Sequence, residues 1–297
     1  KVLVDKKMNL RKFKKSAFQK VNKKLTGISV DASVDFDFVK SKTANMAGYI
    51  EGAKSNEWIV LGAHYDHLGY GGVGSGSRTP SKREIHNGAD DNATGVGTVL
   101  MLADYFKKNP PETNMAFVLF GAEEEGLIGS KFFVENLPFP LQKIKAMVNF
   151  DMVGRMKDSS LSISGTTTGR EFASILETWN NKPLRLSLGG GGYAGSDQAS
   201  FYAEDIPVLF FNSGLHNDYH TPDDDEEKIN YAGMELIGQL AVSLIDSIDN
   251  PETKITFVKA KSKQHSGHYS KKMKVKMGIM PDVAGVAKNG MRVDGVR

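Results

Sequence analysis

Several short apolar runs in this chain each lead into residues that bind protons or metals. Trp58–Gly62 leads into His64, Asp66 and His67, and Met115–Phe120 into Glu123, Glu124 and Glu125. Lys145–Phe150 stops at Asp151, and Ile206–Phe211 leads through a polar stretch to His220, Asp223 and Asp224. A fifth segment, Asn87–Asn92, carries Asp90 and Asp91 just before a helical pattern. In an open parallel sheet the loops at the carboxyl ends of strands gather at one crevice. Two His and several carboxylates would then converge, and such a cluster cannot stay ionised without cations. Imidazole with carboxylate suits zinc, with cobalt or manganese as substitutes. A carboxylate shared between two ions would make a two-metal site, with the ions about 3.5–4 Å apart. There is no Cys, so thiolate–zinc sites, disulfides and a Cys nucleophile are excluded.

The elements that must position these residues follow from hydrophobic periodicity. Alternation predicts strands over Ile28–Val39 and near Asn45–Glu51, and Trp58–Gly62 is a short apolar strand. Ala93–Lys108 has helical spacing, with Val96, Val99, Leu100, Ala103 and Phe106 on one side. A strand at Met115–Phe120, a helix at Ser130–Asn136 and strands at Lys145–Phe150 and Leu161–Ser164 follow, then a helix at Arg170–Asn180. Strand Ile206–Phe211 and an amphipathic helix over Tyr231–Asp249 complete the pattern. Apolar strands alternating with helices predict a three-layer α/β/α sandwich with a mixed, largely parallel central sheet and its ligands at the strands' carboxyl ends.

Five segments in order, GAHYDH, NGADDNATG, AEEEGLIGS, NFDMVG and YHTPDD, resemble zinc aminopeptidases of the bacterial leucyl aminopeptidase type. The superfamily of these co-catalytic two-zinc exopeptidases includes glutamate carboxypeptidases, glutaminyl cyclases and transferrin receptors. The resemblance covers about residues 43–250. It implies that His64 and Asp151 hold one metal, Glu124 and His220 the other, and Asp90 both, with two zinc ions per chain. It further implies that Asp66 orients His64 and that the Asp90–Asp91 peptide is cis. The implied reaction is hydrolysis of N-terminal residues from peptides by a two-zinc activated water, with Glu123 as general base. Carboxypeptidase, glutaminyl cyclase and a non-catalytic binding protein are the alternatives.

Relatives often have His where this chain has Gln198 after Gly195-Ser196-Asp197, a departure that bears on specificity. The Gly-rich stretch 188–195 is expected to form a site rim from which Tyr193 contacts substrate. His67, His86 and His216 are expected at the rim as hydrogen-bonding residues, and Asp224 beside the ligands. Basic groups for a substrate carboxylate would come from Arg78, Lys82, Arg83 and Arg155.

The 297 residues divide into a domain over 1–254, whose residues 1–24 form a basic N-terminal segment, and a piece over 255–297. That piece resembles the first half of a PDZ-like domain, which some family members carry there. The net charge of +3 conceals basic ends around a middle with net charge −15. An acidic centre argues against nucleic-acid binding. The longest apolar runs are six residues, against about 20 for a membrane helix, so no membrane span is expected. The glycines of 69–74 match a dinucleotide pattern, but no helix follows them. Family resemblance implies a secreted or periplasmic protein, with its targeting segment absent from this chain. The sequence does not speak to oligomeric state.

Overall fold

A computed structural model describes residues 41–179, 183–259, 279–281 and 293–296. The strand expected over Ile28–Val39, the basic segment 1–24 and most of the 255–297 piece lie outside the described residues.

Short apolar segments become strands because their alternate side chains face two helical layers. The strands are β1 (Met46–Ile50), β2 (Trp58–His64), β3 (Asn114–Phe120), β4 (Ile144–Phe150), β5 (Ser160–Ser164), β6 (Arg185–Gly189) and β7 (Val208–Asn212). They form one sheet in the order β1-β3-β2-β4-β7-β5-β6. The four central strands, β3, β2, β4 and β7, run parallel; β1 is antiparallel to β3 and β5 to β7. This mixed, mostly parallel sheet flanked by helices agrees with the expected sandwich. β6, which replaces part of the expected Gly-rich rim, pairs in parallel with β5.

Helices α1 (Gly95–Lys108), α3 (Phe172–Trp179) and α5 (Tyr231–Asp249) cover one face. Ile59, Leu61 and Ala63 of β2 point to that side, with Ala146, Val148 and Phe150 of β4. Helices α2 (Ile128–Glu135) and α4 (Gln198–Tyr202) cover the other, meeting Val60, Val118, Met147 and Val208. The period of two along a strand therefore sends Val60, Gly62 and His64 to the α2/α4 side, with Met147, Asn149 and Asp151.

The segment after α5 continues onto the sheet domain. Phe257 bridges to Gly169 and packs on Tyr202, while Glu171 accepts two hydrogen bonds from Thr256. Beyond it, β8 (Ile279–Pro281) and β9 (Val293–Val296) form an antiparallel pair. Among the described residues no helix is long and apolar enough to cross a membrane.

Candidate metal centre

Strand register sets the first pair of donors. His64 ends β2 level with Phe120 of β3, and Gly62 is level with Asn149 of β4. Two residues further along each strand, His64 and Asp151 share a face at the sheet's carboxyl edge. His64 is 1% exposed, with Nε2 3.6 Å from Asp151 Oδ1. The same Nε2 is 3.2 Å from Asp91 Oδ1.

Loops deliver the rest. Asp91 Oδ2 lies 3.2 Å from His220 Nε2, which is 3.3 Å from Glu124 Oε2. Glu124 Oε1 lies 2.8 Å from His67 Nδ1. Asp91 thus stands between two donor groups, His64 with Asp151 on one side and Glu124, His220 and His67 on the other.

This corrects the expectation for Asp90. Its Oδ1 accepts from the Gly154 amide (2.7 Å) and Thr94 Oγ1 (3.1 Å), and its Oδ2 faces His216 Nε2 at 3.1 Å. The physical reason is the loop's irregular path. Gly88 is left-handed, and Asp91 (φ −107°, ψ 85°) and Asn92 (φ −138°, ψ 41°) leave helical geometry, so adjacent Asp side chains diverge. The cis peptide falls at Asp91–Asn92, one residue later than expected.

Asp66 also departs from expectation. His64 Nδ1 lies 3.1 Å from the Asp66 backbone carbonyl, against 3.9 Å from its carboxylate. That carboxylate instead accepts the amides of Glu123 (2.9 Å) and Glu124 (3.3 Å). Asp224 does the same for the other loop: its Oδ2 accepts the amides of Asp90 and Asp91, both at 3.0 Å. Asn92 then ties the Asp91 loop to β4. Its Nδ2 donates to the Phe150 carbonyl, and its Oδ1 accepts the amides of Gly95 and Met152.

The donor set fits metal cations. His64 Nδ1 is committed to the Asp66 carbonyl and His220 Nδ1 to the Gly76 carbonyl at 3.2 Å. Each Nε2 is thereby turned toward carboxylates, an arrangement that suits a cation between them. His64, Asp91 and Asp151 offer donor atoms within 4.8 Å of one another, as do His67, Asp91 and Glu124.

Charge distribution follows the same geometry. Burial opposes charge on His220, but Asp91 and Glu124 outweigh it and push the imidazole up to about 10. Burial likewise opposes charge on Asp91, and the His220 and His64 contacts overcome it, holding the carboxyl well below its usual range. Burial raises Glu123 well above the ordinary Glu value; nearby His64 pulls it down, and Asp197 and Glu124 push it up. Ala122 (φ 56°), Met152 (φ 56°) and His220 (φ 55°) are left-handed at the site. Such conformations cost about 1–3 kcal/mol each and persist where the surroundings enforce them.

Behind the strand ends lies a polar layer that sequence reasoning did not find. Gln198, fully buried, accepts from Asn149 Nδ2 at 3.0 Å and donates to the Ala194 carbonyl at 2.7 Å. Asn149 also donates to Ser196 Oγ at 2.9 Å. Gln198 therefore fastens the rim loop to β4, two residues before Asp151. Next to it Asp197 is fully buried, and burial pushes its carboxyl up to about 7. Tyr193 is 67% exposed, its ring edge-on to Tyr202 at 4.7 Å. His86 donates or accepts at Ser77 Oγ (2.9 Å) and faces the Glu84 carbonyl, so it is a hydrogen-bonding residue as expected. The signal for His67 was its place three residues after His64 at a strand end; nothing local distinguished Asp91 from Asp90.

Residues 45–245 match the model of peptidase family M28. The chain is similar to the aminopeptidase YwaD of Bacillus subtilis, 27% identical over 222 residues, which span 71% of this chain and 45% of that protein. Among solved structures it is similar to a zinc aminopeptidase from Bacillus subtilis, with TM-score 0.58 and 25% identity over 71% of this chain and 51% of that one. A glutaminyl cyclase from Porphyromonas gingivalis shares the fold, with TM-score 0.57 and 20% identity over 68% of this chain and 76% of that one. The chain spans about half the length of the aminopeptidases it matches.

Proposed function

The chain belongs to peptidase family M28, and from that premise we propose that it is a two-zinc exopeptidase releasing N-terminal residues from peptides. One observation carries the reading. Asp91 lies between two imidazoles, His64 and His220, each with its Nδ1 already committed to a backbone carbonyl. His64, Asp91 and Asp151 would hold one ion, and Asp91, Glu124 and His220 the other. Zinc, when bound, would supply Lewis acidity, polarising a carbonyl and easing the ionisation of water.

Glu123 is the general base in this reading. Its amide is anchored on Asp66, and its partly buried carboxyl has a raised proton affinity. It takes the proton of the attacking water and returns it to the leaving amine, so the peptide C–N bond breaks with no net proton change. Ala122, left-handed just before it, turns the chain out of β3. Tyr193, on the exposed rim, is assigned to substrate contact.

Removal of N-terminal rather than C-terminal residues is favoured by the state of the basic groups. A substrate carboxylate needs a cation to hold it. Arg155 is 2.8 Å from Asp218, and Arg78 Nη1 donates to the carbonyls of Asn217 and Tyr219. Lys82 lies 4.0 Å from Glu84, and Arg83 sits over the Tyr70 ring. Arg155 and Arg78 are thereby held against residues 217–219. The 255–297 piece is assigned, on sequence resemblance alone, as a partial PDZ-like domain outside the chemistry.

The test is Glu123→Gln, which keeps the shape but cannot take a proton. Turnover of aminoacyl chromogenic substrates should fall about 10²–10⁴-fold, with both zinc ions retained by elemental analysis. Near wild-type turnover with both metals bound would refute the base. A zinc-loaded wild type that cleaves N-blocked acyl-amino acids but no aminoacyl substrate would refute the direction of cleavage.

A further inference from the structure

His67 has no role in the two-zinc reading, yet its position is built. Its side chain is 9% exposed, and the ring is held against Gly88, where an added Cβ would lie 2.7 Å from His67 Cγ. Its Nδ1 faces the two carboxylates that His220 faces: Glu124 Oε1 at 2.8 Å and Asp91 Oδ2 at 3.9 Å. His220 Nε2 approaches them at 3.2 and 3.3 Å. The two rings stand 5.7 Å apart and nearly perpendicular.

Those nitrogen–oxygen separations are compatible with donors around one ion, and the 2.8 Å between His67 and Glu124 is also a hydrogen-bond distance. Zinc bonds to His nitrogen and carboxylate oxygen are about 2.0–2.2 Å in a tetrahedral shell, whose donor–donor edges are then about 3.4 Å. His67, Asp91 and Glu124 offer donor atoms within 4.8 Å of one another, and His220 Nε2 approaches Asp91 Oδ2 and the second Glu124 oxygen, Oε2, at 3.2 and 3.3 Å. On the other side of Asp91 the cluster offers three donors, His64, Asp91 and Asp151.

We propose that His67 is a fourth protein ligand on the His220 side, so that one ion is enclosed by four side chains and the other by three. This inference rests on the two-zinc reading above. Closed four-ligand shells are the structural type, whereas three ligands leave a position for water or substrate. The consequence is a division of labour. The ion at His67, Asp91, Glu124 and His220 anchors the loops, and the ion at His64, Asp91 and Asp151 is the exchangeable one that meets substrate.

The experiment uses the full chain with zinc alone. Wild type, His67→Ala and His67→Asn are titrated with chelators of graded strength while released zinc is measured. Asn places an amide nitrogen near the position of Nδ1, so it can still donate to Glu124 but is a poor zinc ligand. Wild type should release zinc in two separate steps. Both variants should lose more than about 100-fold in affinity at the tighter step, beyond the 10–100-fold typical of a residue that only orients a ligand. The weaker step should stay unchanged. Should His67→Asn hold the tighter zinc within 100-fold of wild type, His67 merely orients Glu124 and the proposal fails. X-ray absorption at the zinc edge of the wild type needs no variant: three imidazoles shared by two ions are expected, and two would overturn the proposal. A wild type that binds one zinc or none defeats the two-metal reading itself.

Discussion

The two sides of the candidate site are held by different physics. His64 and Asp151 are placed by β2 and β4, neighbouring parallel strands in the centre of the sheet. Asp91, Glu124, His67 and His220 sit on loops, and two of those loops are held in part by a carboxylate that accepts a pair of backbone amides. Asp224 holds the Asp90–Asp91 turn, and Asp66 holds the Glu123–Glu124 turn. A ladder spreads its load over many bonds; a two-amide clamp concentrates it on one carboxylate. The loop side should therefore be fragile to point substitution and the strand side tolerant.

The sharpest break of that comparison is at the shared carboxylate. Asp91→Asn should reduce zinc after dialysis from two ions per chain to one or none and abolish turnover. Asp90→Asn, one residue away, should keep both ions, because Asp90 is spent on Gly154, Thr94 and His216. The reverse pattern in elemental analysis would return the shared role to Asp90.

A smaller effect tests the clamp itself. Asp224→Ala leaves the amides of Asp90 and Asp91 without their buried acceptor. Each orphaned donor costs about 1–3 kcal/mol, so chemical denaturation should show a loss of about 2–6 kcal/mol. Zinc affinity should fall about 10–100-fold, as for other residues that orient ligands. Unchanged zinc affinity in a folded variant would mean that the loop does not depend on the clamp.

The smallest effect should be on the strand side. Gln198→Ala removes two buried hydrogen bonds, one to Asn149 two residues before Asp151. A stability loss of about 1–3 kcal/mol is expected, with zinc affinity within about twofold of wild type because β4 stays in its ladder. A tenfold loss of zinc would show that Asp151 is set by the polar layer rather than by the strand.

Legibility in the sequence followed the same division. The positions of the strand-end residues could be read because a short apolar run has few ways to be buried, and its last residue then has a known face and edge. β2 through His64 and β4 up to Asp151 were found on that ground. Asp66 was expected, from the resemblance, to orient His64, but its carboxylate turns to the amides of Glu123 and Glu124. β6 and α4 escaped notice because Arg185–Gly189 and Gln198–Tyr202 are only five residues each. So short a segment shows little periodicity.

By itself the sequence determined which residue types stand at the carboxyl edge of the sheet, and hence that imidazoles and carboxylates would meet. The physical reason is local: burial of alternating apolar side chains dictates strands, and parallel strands bring their ends together. Only the tertiary structure decided that Asp91 rather than Asp90 faces both groups, and that His67 joins His220 over Glu124. Those orientations depend on contacts between distant segments. Asp224 clamps amides 134 and 133 residues earlier in the chain, and His67 meets Glu124 across 57. No local pattern encodes where a loop side chain points when its anchor lies that far away.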